Sequence, residues 1–204
     1  MRKLHCVFYS ALILFLFLPQ VEPGSISLAQ TKQQNHGGKI ETSYDGFSHE
    51  TVMTLQKMKV SCEGIKNTFK DDLCVSMMVS LHCLGVQAFH VNYVTLHLMF
   101  ETNAWDQRHP IDQRQLSVVV NNETLRLGQM KLIGQNVSDS MTDARARETL
   151  GLTFSYDLFK KIAEAQFVEV QVGASRFMLR NKNIEALRDL NSRVVNAVKP
   201  ADSN

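Results

Sequence analysis

The sequence predicts an α+β domain that is mostly antiparallel β, sandwich-like or a strongly curved sheet, with a short crossover helix and a C-terminal amphipathic helix. Three observations carry this. Residues 74–83 put Val75, Met77, Val79, Leu81 and Cys83 on one face and Cys74, Ser76, Met78, Ser80 and His82 on the other; residues 91–100 separate Asn92, Val94, Leu96, Leu98 and Phe100 from Val91, Tyr93, Thr95, His97 and Met99. Side chains that alternate with a period of two mark half-buried strands. Residues 116–128 (LSVVVNNETLRLG) read as a hairpin about Asn121-Asn122, since asparagine tolerates the positive φ of a two-residue turn. Finally, Ile184, Leu187, Leu190, Val194 and Val198 recur every three or four residues, which lays one apolar stripe along a helix.

The remaining elements follow in chain order. Residues 51–60 alternate only moderately but are rich in β-branched residues, and read as a strand. In the 116–128 hairpin, Val120 faces Glu123, Val118 faces Leu125 and Leu116 faces Leu127. Residues 134–148 are polar and read as an exposed loop, before a strand over 148–156. Ser155 or Asp157 caps a short helix whose apolar face is Leu158, Phe159, Ile162 and Ala163. VEVQV (168–172) and RFML (176–179) form a second hairpin, with a turn centred on Ala174-Ser175 that sets Val172 opposite Phe177 and Val170 opposite Leu179. The last helix runs from about 182 to 197, capped by Asn181 or Asn183 and ended by Pro200.

The N-terminus reads as an address for export. Arg2 and Lys3 precede a thirteen-residue apolar run, Cys6–Leu18, which Pro19 stops. That order is the layout of a secretory signal peptide, and the run falls short of the roughly 20 residues of a spanning helix. Small residues Ser27 and Ala29 place the cut after Ala29, with Ser27 as the competing site. The expected organisation is a signal peptide over 1–29, a polar flexible tail over 30–44, and one β-rich domain over 45–199, with no membrane span in the mature chain and an extracytoplasmic (secreted or periplasmic) location. Losing residues 1–29 removes Arg2, Lys3 and Glu22 and lowers the net charge from +2 to +1. A nearly neutral chain has no strong electrostatic reason to bind nucleic acid or an anionic membrane.

Three cysteines then remain, so at most one internal bridge forms. On one strand, Cys74 and Cys83 sit roughly 30 Å apart, far beyond bridging distance. Cys62 and Cys74 flank a polar loop and would face each other at its base if the adjoining strands pair antiparallel; that bridge is the expected one, against no bridge at all. Cys83 is expected as a buried thiol.

The segment 152–190 (LTFSYDLFKKIAEAQFVEVQVGASRFMLRNKNIEALRDL), with Tyr44-Asp45-Gly46-Phe47 and Met58-Lys59 upstream, resembles an uncharacterised group of small exported bacterial proteins. The shared pattern is a strand, a short F-x-K-I-A helix, a hairpin and an A-L-R-D-L helix. The resemblance implies export and this order of elements; it implies no activity.

Candidate chemistry is sparse. His82, His90 and His97 with Cys74 and Cys83 fall close together, but without C-x-x-C or H-E-x-x-H spacing. His82 and His97 are weak metal candidates that meet, if at all, across neighbouring strands on a solvent-side face; ordinary strand histidines are the plainer reading. There is no G-x-S-x-G elbow, and Cys83 beside His82 has the wrong geometry for an ion pair. His36-Gly37-Gly38-Lys39 lacks the strand and helix of a phosphate loop, and Asp71-Asp72, Asp139, Asp143, Glu164 and Glu169 read as solvated charges. Asn122 and Asn136 begin glycosylation sequons. The many methionines read as core filler, or as an adaptable binding face. The leading functional expectation is a non-enzymatic exported domain, without cofactor, that binds a protein or envelope component. The alternatives are a small hydrolase or metal-dependent enzyme using the His82/His97 region, and a binder of a small apolar ligand inside a curved sheet.

Overall fold

The computed structural model describes residues 36–198 apart from 64–72, 87–89, 103–108 and 141–142. The segment 1–29, its cleavage near Ala29, and Asp71-Asp72 lie outside the described residues. No helix among those described is long and apolar enough to cross a membrane.

In chain order the elements are β1 (Ile40–Asp45), β2 (Glu50–Glu63), β3 (Leu73–Leu84), β4 (Val91–Thr102), a single 3-10 turn (Ile111–Gln113), β5 (Gln115–Val120), β6 (Glu123–Gln129), β7 (Lys131–Ser140), β8 (Asp143–Phe154), α1 (Tyr156–Glu164), β9 (Val168–Val172), β10 (Ser175–Met178) and α2 (Asn181–Val198). They build two sheets, β1-β2-β3-β4-β8-β7 and β10-β9-β5-β6, with every neighbouring pair antiparallel. The expected class, mostly antiparallel β with a short helix and a C-terminal helix, is the one found.

The alternation in β3 and β4 becomes the centre of the core. Val75, Met77, Val79, Leu81 and Cys83 are buried, as are Val94, Leu96, Leu98 and Phe100 on the neighbouring strand. Each such side chain contributes about 1.5–3 kcal/mol on leaving water. The mediocre alternation of 51–60 has a structural cause. Met53 and Leu55 point inward, and so do Met58 and Val60; a register shift between Leu55 and Met58 moves the inward set by one residue. A bulge inserts one extra residue and restores the apolar face beyond it. Three faces converge on this surface: sheet β10-β9-β5-β6 through Leu116, Val118, Val170 and Val172, α1 through Phe159 and Ile162, and α2 through Ile184, Leu187, Leu190 and Val194.

The two helices are tied by polar contacts as well. Arg188 on α2 donates Nε to the Ala163 carbonyl at 3.2 Å and Nη2 to the Ala165 carbonyl, so a cation meets the exposed carbonyls at the end of α1. Asn183 accepts from the Arg180 N–H at 3.0 Å and donates to the Lys59 carbonyl at 3.2 Å, which joins the start of α2 to β2. Ser155 precedes α1 but makes no side-chain capping bond.

Three expectations are corrected. Residues 134–140 and 143–148 are not a loop: they are strand residues of β7 and β8, in which Gln135 pairs Glu148 and Asn136 pairs Arg147. β7 is an edge strand whose described residues are exposed, so backbone pairing rather than burial holds it and no apolar alternation is needed. The expected tail is likewise structured from His36 onward. β1 pairs β2 from Ile40↔Leu55 to Asp45↔Glu50. His36 is buried, placing Nε2 3.0 Å from Asp189 Oδ2 and accepting the Gly38 N–H at 3.1 Å. Finally, the β9–β10 turn is centred on Gly173-Ala174, with Ser175 opposite Val172 and Phe177 opposite Val170. Gly173 takes φ +55, and a Cβ there would lie 2.6 Å from the Gln113 carbonyl oxygen, so only glycine permits this turn. The shift is by two residues, so the same side chains still face inward.

The Asn121-Asn122 hairpin has the expected turn, both residues at positive φ, and the expected pairs Val120↔Glu123 and Val118↔Leu125. A shift between Leu116 and Ser117 sets Leu116 opposite Gly128 instead of Leu127.

Cys62 and Cys74 are paired residues on β2 and β3 and form a disulfide, while Cys83 is a free thiol with no exposed surface. Burial, with Glu50 nearby, raises the Cys83 pKa to about 11. Cross-linking residues this close along the chain is worth about 3 kcal/mol in the chain-entropy account. Reduction is therefore expected to lower unfolding free energy by about that amount in urea titrations. In the native oxidised protein Cys83 should resist a thiol reagent at about pH 8 and react once unfolded.

Candidate functional site

The outer face of the six-stranded sheet carries the histidines singled out in the sequence. His82 stacks on Tyr93, ring centroids 4.3 Å apart, because the two are register partners on β3 and β4. Its Nδ1 lies 3.4 Å from Glu50 Oε2 and its Nε2 lies 3.3 Å from Thr95 Oγ1. The Tyr93 hydroxyl donates to the same Glu50 oxygen at 3.2 Å. Burial, then that carboxylate, raise the Tyr93 pKa. His97 sits on the same face, between Met78 and Gly151 on the adjoining strands. Burial, then the charge of His82, hold its pKa below the ordinary imidazole value.

The five-residue cluster does not converge. Cys74 is consumed by the disulfide, Cys83 points into the core, and His90 is exposed in the β3–β4 connection. Among the described residues no group of three His, Cys, Asp or Glu side chains is placed to hold a metal ion. Glu50, His82 and Thr95 do form a carboxylate–imidazole–hydroxyl series, but with long contacts and a hydroxyl in the middle of a strand. Backbone N–H groups there serve the ladder, so they are not free to stabilise an oxyanion.

A tighter series lies elsewhere, and the sequence reading gave it no role. His109 has no exposed surface. Its Nδ1 is 2.7 Å from Glu148 Oε2 on β8, and its Nε2 is 3.0 Å from Ser175 Oγ at the start of β10. Arg114 donates Nε to the His109 carbonyl at 2.7 Å and sets Nη2 3.5 Å from Glu148 Oε1. The carboxylate accepts only, so in the neutral ring the proton belongs on Nδ1 and Nε2 accepts from the Ser175 hydroxyl. Phe100 covers the ring, centroids 4.3 Å apart. Ser175 is half-buried, so the series runs from the surface inward. The three residues are 39 and 66 positions apart along the chain and match no short motif, so no local signal announces them.

One end of the six-stranded sheet is apolar and exposed. The β1–β2 turn carries Phe47, 98% exposed, and the adjoining end of β3 carries Leu84 and Val86, each 57% exposed. The Gly85 N–H donates to the His49 carbonyl at 2.8 Å and Leu84 pairs Glu50, which brings these segments side by side. By contrast, the interior void lined by Met77, Leu96, Val118, Phe159 and Leu187 is about 30 Å³. That is the scale of one water molecule, against about 300–1,000 Å³ for a small-molecule site. This void is too small for a small apolar ligand.

No family model, no curated protein and no solved structure matches this chain.

Because His97 binds its proton less readily folded than unfolded, the unfolded chain takes up more protons as pH falls through the ordinary imidazole pKa of about 6.5. Its contribution is to stability lost on acidification there, complete once pH is below the lowered folded value. His97→Gln should therefore flatten the fall in Tm between about pH 7.5 and about pH 5.5; parallel curves for the two proteins would show that the burial of His97 has no linkage to folding. Gly151 meets Ile133 Cγ1 at 2.7 Å and His97 Cδ2 at 3.0 Å from where a Cβ would stand. Gly151→Val should overpack this face and destabilise by about 1–3 kcal/mol in chemical denaturation.

Proposed function

We propose that this chain is an exported domain, cleaved near Ala29, that binds another protein of the extracytoplasmic space through the apolar end of its six-stranded sheet. One observation carries the reading: Phe47, Leu84 and Val86 are large and exposed on two segments that a backbone hydrogen bond holds side by side. Exposed apolar residues gathered on one part of a fold and rimmed by polar groups mark interaction sites. Asp45 lies in that rim, its carboxylate accepting the Phe47 N–H at 2.9 Å, and that bond lowers its pKa below the usual carboxylate value. A fixed carboxylate beside the apolar tip is costly to bring to an anionic lipid surface, which favours a protein partner over lipid. The disulfide fits an oxidising compartment.

The test is photo-crosslinking in the native compartment, comparing the wild-type chain with Phe47→Ser/Val86→Ser and with Lys182→Ser on the exposed side of α2. Exposed positions tolerate these changes within about 0.5 kcal/mol, which thermal melts check. Loss of a defined crosslinked protein in the tip variant, and its retention in the α2 variant, is the expected result. Equal capture by all three chains overturns the reading, as does tip-dependent binding to protein-free vesicles in its place.

A further inference from the structure

The hydrogen-bonded series Ser175–His109–Glu148 goes beyond a binding role. We propose that Ser175 is a nucleophile primed by His109 and Glu148, acting on small uncharged carboxylic esters.

The geometry has the parts that activate a hydroxyl. A nucleophile and its base must lie within about 2.6–3.2 Å, and the base must be oriented by a third group. Ser175 Oγ and His109 Nε2 are 3.0 Å apart, and His109 Nδ1 is held by Glu148 Oε2 at 2.7 Å. The corresponding contacts of Thr95, His82 and Glu50 are 3.3 and 3.4 Å, so the buried series is the better aligned. Arg114 works from behind, one nitrogen on the His109 carbonyl and another facing Glu148 Oε1, which has no hydrogen bond of its own. The outer end of the series is a half-buried serine at the mouth of a tight turn whose glycine packs on the Gln113 backbone. Gly173 and Ala174, on the turn side of Ser175, lie outside the paired register, while Ser175 pairs Val172 and Arg176 pairs Gln171.

The chemistry balances without any further reactant than water. Ser175 Oγ attacks the ester carbonyl carbon and its proton passes to His109 Nε2. The bond to the leaving alcohol breaks and that oxygen takes the proton from His109. Water then attacks the acyl carbon, giving a proton to His109, which returns it to Ser175 Oγ as the acid leaves. Ester and water become acid and alcohol. The uncharged class is the plainest one the described residues fit: Arg176, the nearest described cation to Ser175 along the chain, is paired with Glu169 at 3.3 Å.

The test uses the mature oxidised protein and a fluorophosphonate, which forms an Oγ–P bond and releases fluoride. The expected result is a single adduct by intact mass, mapped by peptide sequencing to Ser175, absent in Ser175→Ala, and formed on the order of a hundredfold more slowly in Glu148→Gln. Hydrolysis of p-nitrophenyl acetate should fall in the same order. Near-UV circular dichroism confirms that each variant is folded, and Ser175→Ala, which removes one half-buried hydroxyl, remains decisive if Glu148→Gln unfolds. No adduct on the wild type, an adduct elsewhere that survives Ser175→Ala, or equal rates in wild type and a folded Glu148→Gln would each overturn the proposal.

Discussion

Everything in this fold is organised by the inner face of β3 and β4. Two adjacent strands with apolar residues at every second position make a wide oily surface that must be covered. Extending the sheet to β1 and β7 does not cover it, because strands added edge to edge lie in the same layer. The cover is assembled instead from a second, smaller sheet and two helices. Its parts come from distant stretches of chain, with β5 and β6 in the middle and α1, β9, β10 and α2 at the end. The bulge in β2 belongs to the same constraint: it turns Met58 and Val60 inward after Met53 and Leu55, so the oily face extends one strand further.

A cover made of pieces needs ties, and the polar contacts inside the molecule supply them. His36 meets Asp189, Asn183 meets the Lys59 carbonyl, and Arg188 meets the carbonyls at the end of α1. His109 links β8 of the large sheet to β10 of the small one. Each tie satisfies groups that would be costly if buried alone, so each also specifies how the layers sit on one another. In His109 the tie and the candidate chemistry are the same atoms. A ring locked by a carboxylate on one side and a hydroxyl on the other is rigid, and rigidity is what a primed serine requires.

Much of the architecture was legible in the chain. Period-two alternation located β3 and β4, the asparagine pair marked a tight turn, and three- and four-residue spacing found both helices. Cys62 and Cys74 were legible as a pair because strand geometry excluded Cys74 with Cys83. What stayed hidden is polar and long-range. β1 and β7 are edge strands held by backbone hydrogen bonds, which any sequence makes, so side-chain pattern says nothing about them. His82 and His97 were found because they share a strand face, yet the same face gives them no third ligand among the described residues.

The sequence by itself indicated the class of fold, the strands and helices of the core and the buried state of Cys83, and it ranked the Cys62–Cys74 bridge ahead of no bridge, because each depends on local periodicity or on the reach of a short stretch of chain. Only the tertiary structure decided which polar residues meet. His109, Glu148 and Ser175 stand in a connection, an edge hairpin and a turn, three places with no apolar pattern to read. They come together because the small sheet closes over the large one, and that closure is a property of the packed core, not of any segment within it.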